Sequence, residues 1–94
     1  MTENWRVEIE QQGRGGRVYY YEAEHSTPIS FDWEFGGGDT VALIFCPSVT
    51  SWNATYPWAE DRRSVILDRV GKEIIRQRAQ SHGFSVQGDL MYIR

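Results

Sequence analysis

The chain has one cysteine, Cys46, among its 94 residues. A single cysteine excludes an intramolecular disulfide and leaves no cysteine pair for a zinc site. The sequence has two histidines, and neither belongs to a carboxylate motif, so we expect no metal site. These shortages indicate a reducing compartment and a fold that depends on its hydrophobic core.

Long hydrophobic runs are also missing. The longest uninterrupted apolar stretch, Val41 to Cys46, is far below the ~20 residues that a membrane-spanning helix requires. The first residues, Met1 to Asn4, have neither the positive charge nor the apolar segment of a signal peptide. We therefore expect a cytoplasmic protein without a membrane association, built as a single domain over residues 1–94.

Catalytic signatures are absent from the sequence as well. It contains no G-x-S-x-G, H-E-x-x-H, paired CxxC or dinucleotide-binding fingerprint. Cys46 and His25 are a nucleophile and a base by residue type, but nothing in their spacing brings them together. A lone cysteine at the end of an apolar strand is usually part of the core. We predict no catalytic residue and no cofactor, and we favour a protein that is not an enzyme.

The chain carries little positive charge. Lys and Arg total 10 against 13 Asp and Glu, which gives a formal net charge of −3. Residues 1–57 carry three basic and eight acidic side chains, whereas residues 58–94 carry seven and five. An acidic total disfavours sequence-independent nucleic-acid binding, which depends on neutralising phosphates. An arginine stripe in the second half, at Arg62, Arg69 and Arg76, leaves RNA binding as a weaker alternative.

The hydrophobic patterns along the chain predict six strands. Apolar and polar side chains alternate in early segments, a continuous apolar run follows, and two short segments flank the turn sequence Gly88-Asp89. The predicted strands comprise residues 5–10, 17–23, 29–35, 40–46, 84–87 and 90–93.

The fourth predicted strand needs cover on both faces. Residues 40–46 include the run Val-Ala-Leu-Ile-Phe-Cys, and such a run is typical of a central strand buried on two sides. Tyr19, Tyr20 and Tyr21 are consecutive, so tyrosines also face both sides of the second predicted strand. One helix covers only one face of a sheet. Self-association into a homodimer is the simplest way to cover the other.

One long helix is predicted, from Pro57 to Gln80, after a connection over residues 48–56. Proline suits a first helical turn, and Gly83 can close the C-terminus. At about 100° per residue, one face of the helix is apolar. That face comprises Ala59, Ile66, Leu67, Val70 and Ile74. Gly71 lies in the middle of the helix, where glycine is unfavourable, and it predicts that an extra strand or another subunit approaches the helix closely there. The element order is ββββαββ, an α+β fold with one long helix across one face of an antiparallel β-sheet.

The candidate site lies at the predicted N-terminus of this helix. Aromatic and basic side chains gather there beside free backbone N–H groups, and such donors suit an anionic or nucleotide-like ligand. Arg63 is the candidate anion anchor, with Glu34 or Asp39 as candidate acid or base. The candidate ligand-binding residues are Trp52, Tyr56, Trp58, Arg62, Arg63, Glu34 and Asp39. Alternatively, Trp52 and Trp58 pack against the sheet while an arginine pairs with Asp32, Glu34 or Asp39.

The sequence thus leads to three hypotheses. The first is a non-enzymatic interaction module that self-associates, because apolar side chains lie on more faces than one helix can cover. The second is a small-ligand or minor enzymatic site at the N-terminus of the helix. The third is RNA binding through the helix arginines.

Overall fold

The computed structural model describes residues 4–22, 25 and 27–94. Residues 1–3, which bear on the expected absence of a signal peptide, and Ala23, the predicted end of the second strand, lie outside this description. The elements in chain order are β1 Trp5–Gln12, β2 Gly15–Glu22, β3 Ile29–Phe35, β4 Ala42–Phe45, α1 Val49–Thr55, a 3-10 helix Pro57–Ala59, α2 Arg63–Arg78, β5 Phe84–Gln87 and β6 Leu90–Ile93.

The six strands form one antiparallel sheet in the order β1-β2-β3-β4-β6-β5. The long helix α2 lies against β1, β5 and β6. The last two strands form the predicted hairpin, in which Gln87 pairs with Leu90 and Gly88 takes a positive φ of 61°. The predicted α+β class and its helix across one face of the sheet are confirmed.

The segment before α2 differs from the prediction. Asp61 has a φ of 64°, a left-handed conformation through which an α-helix does not continue. The helix predicted to begin at Pro57 is therefore a 3-10 turn, and α2 starts at Arg63. The connection predicted over residues 48–56 is also wrong, because it contains α1. Ser48 caps α1, where its Oγ accepts a hydrogen bond from the Ser51 N–H at 3.2 Å.

The core lies between the sheet and the two helices. All five residues of the predicted apolar helix face are buried, and full burial of one such aliphatic side chain contributes about 1.5–3 kcal/mol. On the sheet side, Tyr20 and Phe31 are fully buried. Trp52 of α1 lies next to Phe31, with ring centroids 6.3 Å apart. Both helices therefore cover the same face of the sheet.

Strand β4 is central but is covered on one face. It lies between β3 and β6, and its residues Ala42 and Ile44 are buried on the helix side. On the other side Leu43 is half-buried and Phe45 is 41% exposed. The prediction of a strand buried on both faces is wrong for the isolated chain, because the second face has no layer over it.

Gly71 marks the close approach of α2 to the last hairpin. A Cβ atom at Gly71 would lie 2.4 Å from the ring of Phe84 on β5. The predicted close approach is confirmed, and its partner is a strand of the same chain.

We expect Gly71→Ala to destabilise the protein by about 1 kcal/mol. Alanine gains about 1 kcal/mol of helix propensity, but overpacking against the Phe84 ring costs about 1–3 kcal/mol. Urea unfolding of the two proteins measures the difference. In a Phe84→Ala background, where the methyl group has room, Gly71→Ala should instead stabilise. Equal or higher stability of Gly71→Ala in the presence of Phe84 would contradict this packing.

Candidate functional site

Trp52 and Tyr56, two aromatic residues of the predicted site, are placed by α1. Trp52 is fully buried, and its indole N–H donates a hydrogen bond to the Ala59 carbonyl at 2.9 Å. Tyr56 is half-buried and meets Trp52 edge-on, with ring centroids 5.6 Å apart. The backbone N–H of Ser30 donates to the Tyr56 hydroxyl oxygen at 3.5 Å. Burial leaves the Trp52 ring inaccessible to a ligand, whereas Tyr56 reaches the surface.

Trp58 lies at the outer end of this aromatic cluster. Its ring stacks on His25 with centroids 3.9 Å apart and planes at 16°. Trp58, His25 and Tyr56 help to line one open groove. Neither Arg62 nor Arg63 is among the residues that line that groove.

Arg62 belongs to an ion-pair network at the start of α2. Its guanidinium donates two hydrogen bonds to the Glu22 carboxylate, at 2.7 and 3.2 Å, the bidentate geometry that makes such pairs strong. The Tyr20 hydroxyl donates to the same carboxylate at 2.6 Å. Arg69 in turn donates to the Tyr20 hydroxyl oxygen at 2.8 Å. The network joins the end of β2 to the first half of α2.

The network keeps the Glu22 carboxyl group ionised. Burial alone would raise the pKa of the Glu22 carboxyl group, but hydrogen bonds from Arg62 and Tyr20 and the charges of the two arginines outweigh it and hold that pKa below its ordinary value. Burial, followed by the hydrogen bond to Glu22, raises the pKa of Tyr20 to about 12. At neutral pH a single ionised Glu22 therefore faces the two guanidinium groups of Arg62 and Arg69, and the network connects β2 to α2.

Arg63 is held by backbone carbonyl groups. Its Nε–H donates to the Pro47 carbonyl at 2.9 Å, and its second guanidinium nitrogen donates to the Gly88 carbonyl at 3.0 Å. The Asp89 carboxylate lies 3.7 Å from the same nitrogen, and the Arg63 side chain is 17% exposed. Two of its donor groups therefore connect α2 to the β4–α1 connection and to the β5–β6 turn.

Glu34 and Asp39, the candidate acid or base residues, lie away from the two arginines. Glu34 follows Trp33 on β3, and because Trp33 faces the core, Glu34 lies on the opposite face of the sheet. Asp39 lies in the exposed turn between β3 and β4. The structure does not bring either carboxylate to the start of α2. Arg62 pairs instead with Glu22, and no sequence pattern indicates this pair because the two residues are 40 positions apart.

The helix arginines of the RNA-binding hypothesis are paired with acidic or phenolic groups. Arg62 and Arg69 belong to the Glu22 network, and Arg76 forms an ion pair with Glu73. Paired arginines leave less uncompensated charge for phosphate groups than a free stripe would.

Cys46 is part of the core, as predicted. Its thiol donates a long hydrogen bond to the Ile44 carbonyl, with the sulfur and oxygen 3.7 Å apart. Burial raises the pKa of the thiol to about 11, although the nearby Arg63 lowers it and Asp89 raises it further. A buried, protonated thiol is a poor nucleophile.

The face of the sheet opposite the helices, which we call the open face, carries an apolar block. Two cross-strand pairs, Leu43 with Tyr92 and Phe45 with Leu90, bring four such side chains together on β4 and β6. Phe45 is exposed and the other three are half-buried. Because both helices pack on the other side of the sheet, this block has no layer over it in the described part of the chain.

Aromatic and arginine side chains extend the open face beyond this block. Tyr19 and Tyr21 on β2 have ring centroids 6.3 Å apart, and Arg6 lies over the Tyr21 ring at 4.0 Å. Arg94 lies over Tyr92 at 4.8 Å. The prediction that a tyrosine of this strand faces away from the core is confirmed, since Tyr20 alone of the three points into it.

Comparison of the chain with protein-family models, curated proteins and solved structures finds no match. Within the described residues there is no group of three or more His, Cys, Asp or Glu side chains that could hold a metal ion. None of the helices described combines the length and apolar composition needed to cross a bilayer. The geometry of the surfaces themselves is therefore the basis for proposing a function.

We expect Glu22→Gln to lower the free energy of unfolding by about 1–2 kcal/mol at neutral pH, because it removes the charge that Arg62 and Arg69 share at a partly exposed site. The folded-state pKa of Glu22 lies below its ordinary value of 4.5. Its stabilising contribution is therefore present above that pH and is lost as the pH falls through the folded-state pKa. The two proteins should converge in stability on acidification.

Urea unfolding at a series of pH values measures this convergence. Glu60→Gln, at an exposed carboxylate, is the control and should differ little from the unmodified protein at every pH. A Glu22→Gln deficit that stays constant from neutral to acidic pH would contradict the assigned role of the carboxylate.

Proposed function

We propose that the protein is a non-enzymatic interaction module that forms a homodimer through the open face. The observation that supports this most is the block of Leu43, Phe45, Leu90 and Tyr92 on interior strands of the sheet, covered by neither helix. Covering apolar surface contributes about 25 cal/mol per Å². A second layer would turn these exposed positions into buried ones, as in sheets that are covered on both sides.

The composition of the open face also supports a protein partner. Tyrosine, phenylalanine and arginine are enriched in the cores of protein interfaces. Rigid aromatic rings bury large areas while losing little side-chain entropy. The rings of Tyr21 and Tyr92 are already held by Arg6 and Arg94, so part of that ordering precedes association.

The charges on the face favour a second copy of the chain over another partner. Both signs occur on adjacent strands, and Arg17 forms an ion pair with Asp32 at 3.4 Å. A two-fold interface needs a self-complementary surface, and charges of both signs beside an apolar block suit that requirement. A nucleic acid or a strongly acidic protein would need a face of one sign. The charged residues of the face are Arg6, Glu8, Glu10, Arg17, Asp32, Glu34 and Arg94.

The apolar block by itself is too small for a stable dimer contact. Strands β4 and β6 have four residues each, and with ~4.8 Å between strands and ~3.3 Å per residue they cover about 130 Å² in projection. A stable interface buries about 800 Å² on each partner. The dimer contact must therefore extend at least across β3 to Tyr19 and Tyr21 on β2.

We expect Phe45→Lys to convert the dimer to a monomer. The substitution places a charge at the centre of the apolar block, while the cross-strand neighbour Asp32 can pair with the lysine and preserve the fold. Light scattering after size exclusion, at high micromolar concentration, should give twice the chain mass of 10.9 kDa for the unmodified protein and a single chain mass for the variant. Urea unfolding checks that the variant is folded.

Val65→Lys is the matched control. Val65 is 48% exposed on α2, on the other side of the sheet, so this lysine should leave the dimer intact. An unmodified protein that is monomeric at high micromolar concentration would overturn the proposal. A dimer that survives Phe45→Lys would show that the contact lies elsewhere.

A further inference from the structure

A cavity of about 140 Å³ opens between the sheet and the C-terminal end of α2. Ten of its twelve lining residues are apolar, including Ile44 from β4 and Ile74 from α2, and only Gln11 and Arg78 are polar. It lies on the helix side of the sheet. It is therefore separate from the open face, and no pattern in the sequence indicates it.

The mouth of the cavity leaves apolar side chains in solvent. Phe35 is 46% exposed and Val41 is 36% exposed, and both line the cavity. The Phe35 ring packs edge-on against Trp33 with centroids 5.0 Å apart. Apolar surface therefore continues from the interior to the outside, so a small apolar group can enter without unfolding the helix.

Arg78 supplies the positive charge at this cavity. It lies in the last turn of α2, and its side chain makes no hydrogen bond or ion pair with another residue in the part of the chain that the structure describes. No acidic side chain lines the cavity. The other arginines at the start and along the outer side of α2 are engaged, namely Arg62, Arg63, Arg69 and Arg76.

We propose that this cavity binds a small carboxylate with a compact apolar body, such as a benzene ring. An apolar cavity of about 150 Å³ holds benzene, so a ring of that size fits the volume. The carboxylate would remain at the mouth, where a guanidinium group can donate two parallel hydrogen bonds to it. The carbonyl end of a helix repels an anion. Arg78 must therefore supply the attraction for the charged end of the ligand.

Three probes with a shared phenyl body and different charges test the assignment: phenylacetate, 2-phenylethanol and 2-phenylethylamine. The readout is the indole N–H resonance of Trp33, which lines the cavity and is anchored by donating to the Glu10 carbonyl at 3.0 Å. The indole resonance of Trp52, which does not line the cavity, is the internal reference. We expect phenylacetate to bind severalfold more tightly than the alcohol, and the amine to bind most weakly.

Substitutions at Arg78 test whether its charge, and not the shape of the cavity, determines the preference for phenylacetate. Arg78→Gln should reduce the affinity for phenylacetate to that for the alcohol, and Arg78→Glu should reverse the order of the acid and the amine. Arg76→Gln, on the same turn of α2 but outside the cavity, should change none of these affinities. An alcohol that binds as tightly as phenylacetate to the unmodified protein would overturn the carboxylate assignment.

Filling the cavity tests its location. Ala42→Leu should abolish the response of Trp33 to all three probes, and Ala79→Val provides the same test if Ala42→Leu does not fold. A Trp33 resonance that stays fixed at millimolar phenylacetate would overturn the proposal, as would a shift that persists after the cavity is filled. Phe45→Lys should still bind phenylacetate, so failure of the dimer and failure of this site are distinguishable.

Discussion

One amphipathic helix can cover only one face of a sheet, and this constraint determines which surfaces of the protein remain available to a partner. Helix α2 and Trp52 of α1 fill a single side of the six strands. The strand β4 is apolar on both sides because its sequence has no alternation, yet only Ala42 and Ile44 are buried within the chain. Because β4 is apolar on both faces and the helices cover only one of them, Phe45 is left in solvent. The proposed dimer follows from this exposure.

The same constraint explains why residues at the start of α2 connect it to several other elements. A helix laid across a sheet has to be fixed at its ends, and polar contacts fix this one: Arg62 binds Glu22 at the end of β2, and Arg63 binds the Pro47 and Gly88 carbonyl groups. Residue types that suggest anion binding in the sequence are thus used to connect elements. At the C-terminal end of α2 the Gln77 side chain donates to the Val7 carbonyl of β1 at 3.0 Å, whereas Arg78 is left unpaired within the described residues beside an apolar cavity.

The features that sequence could predict are those with a local cause. Strand alternation, the Gly88 turn and the apolar face of α2 follow from spacing along the chain, and Gly71 indicated a close approach although not its partner. Helix α1 was missed because seven residues with Trp52 as their one buried side chain show no apolar period. The pairing of Arg62 with Glu22 and the apolar cavity are tertiary features, since their residues come from distant segments. Burial of Phe45 depends on a second layer, which the sequence of one chain does not specify.

The dependence of the melting temperature on protein concentration tests the central claim most directly. If a second copy covers the open face, folding is coupled to association, and mass action makes the melting temperature rise as the protein concentration rises. We expect a continuous increase from low to high micromolar concentration, and no such increase for a protein carrying a charge at position 45. A melting temperature that is independent of concentration over that range would contradict the claim that another copy supplies the missing layer.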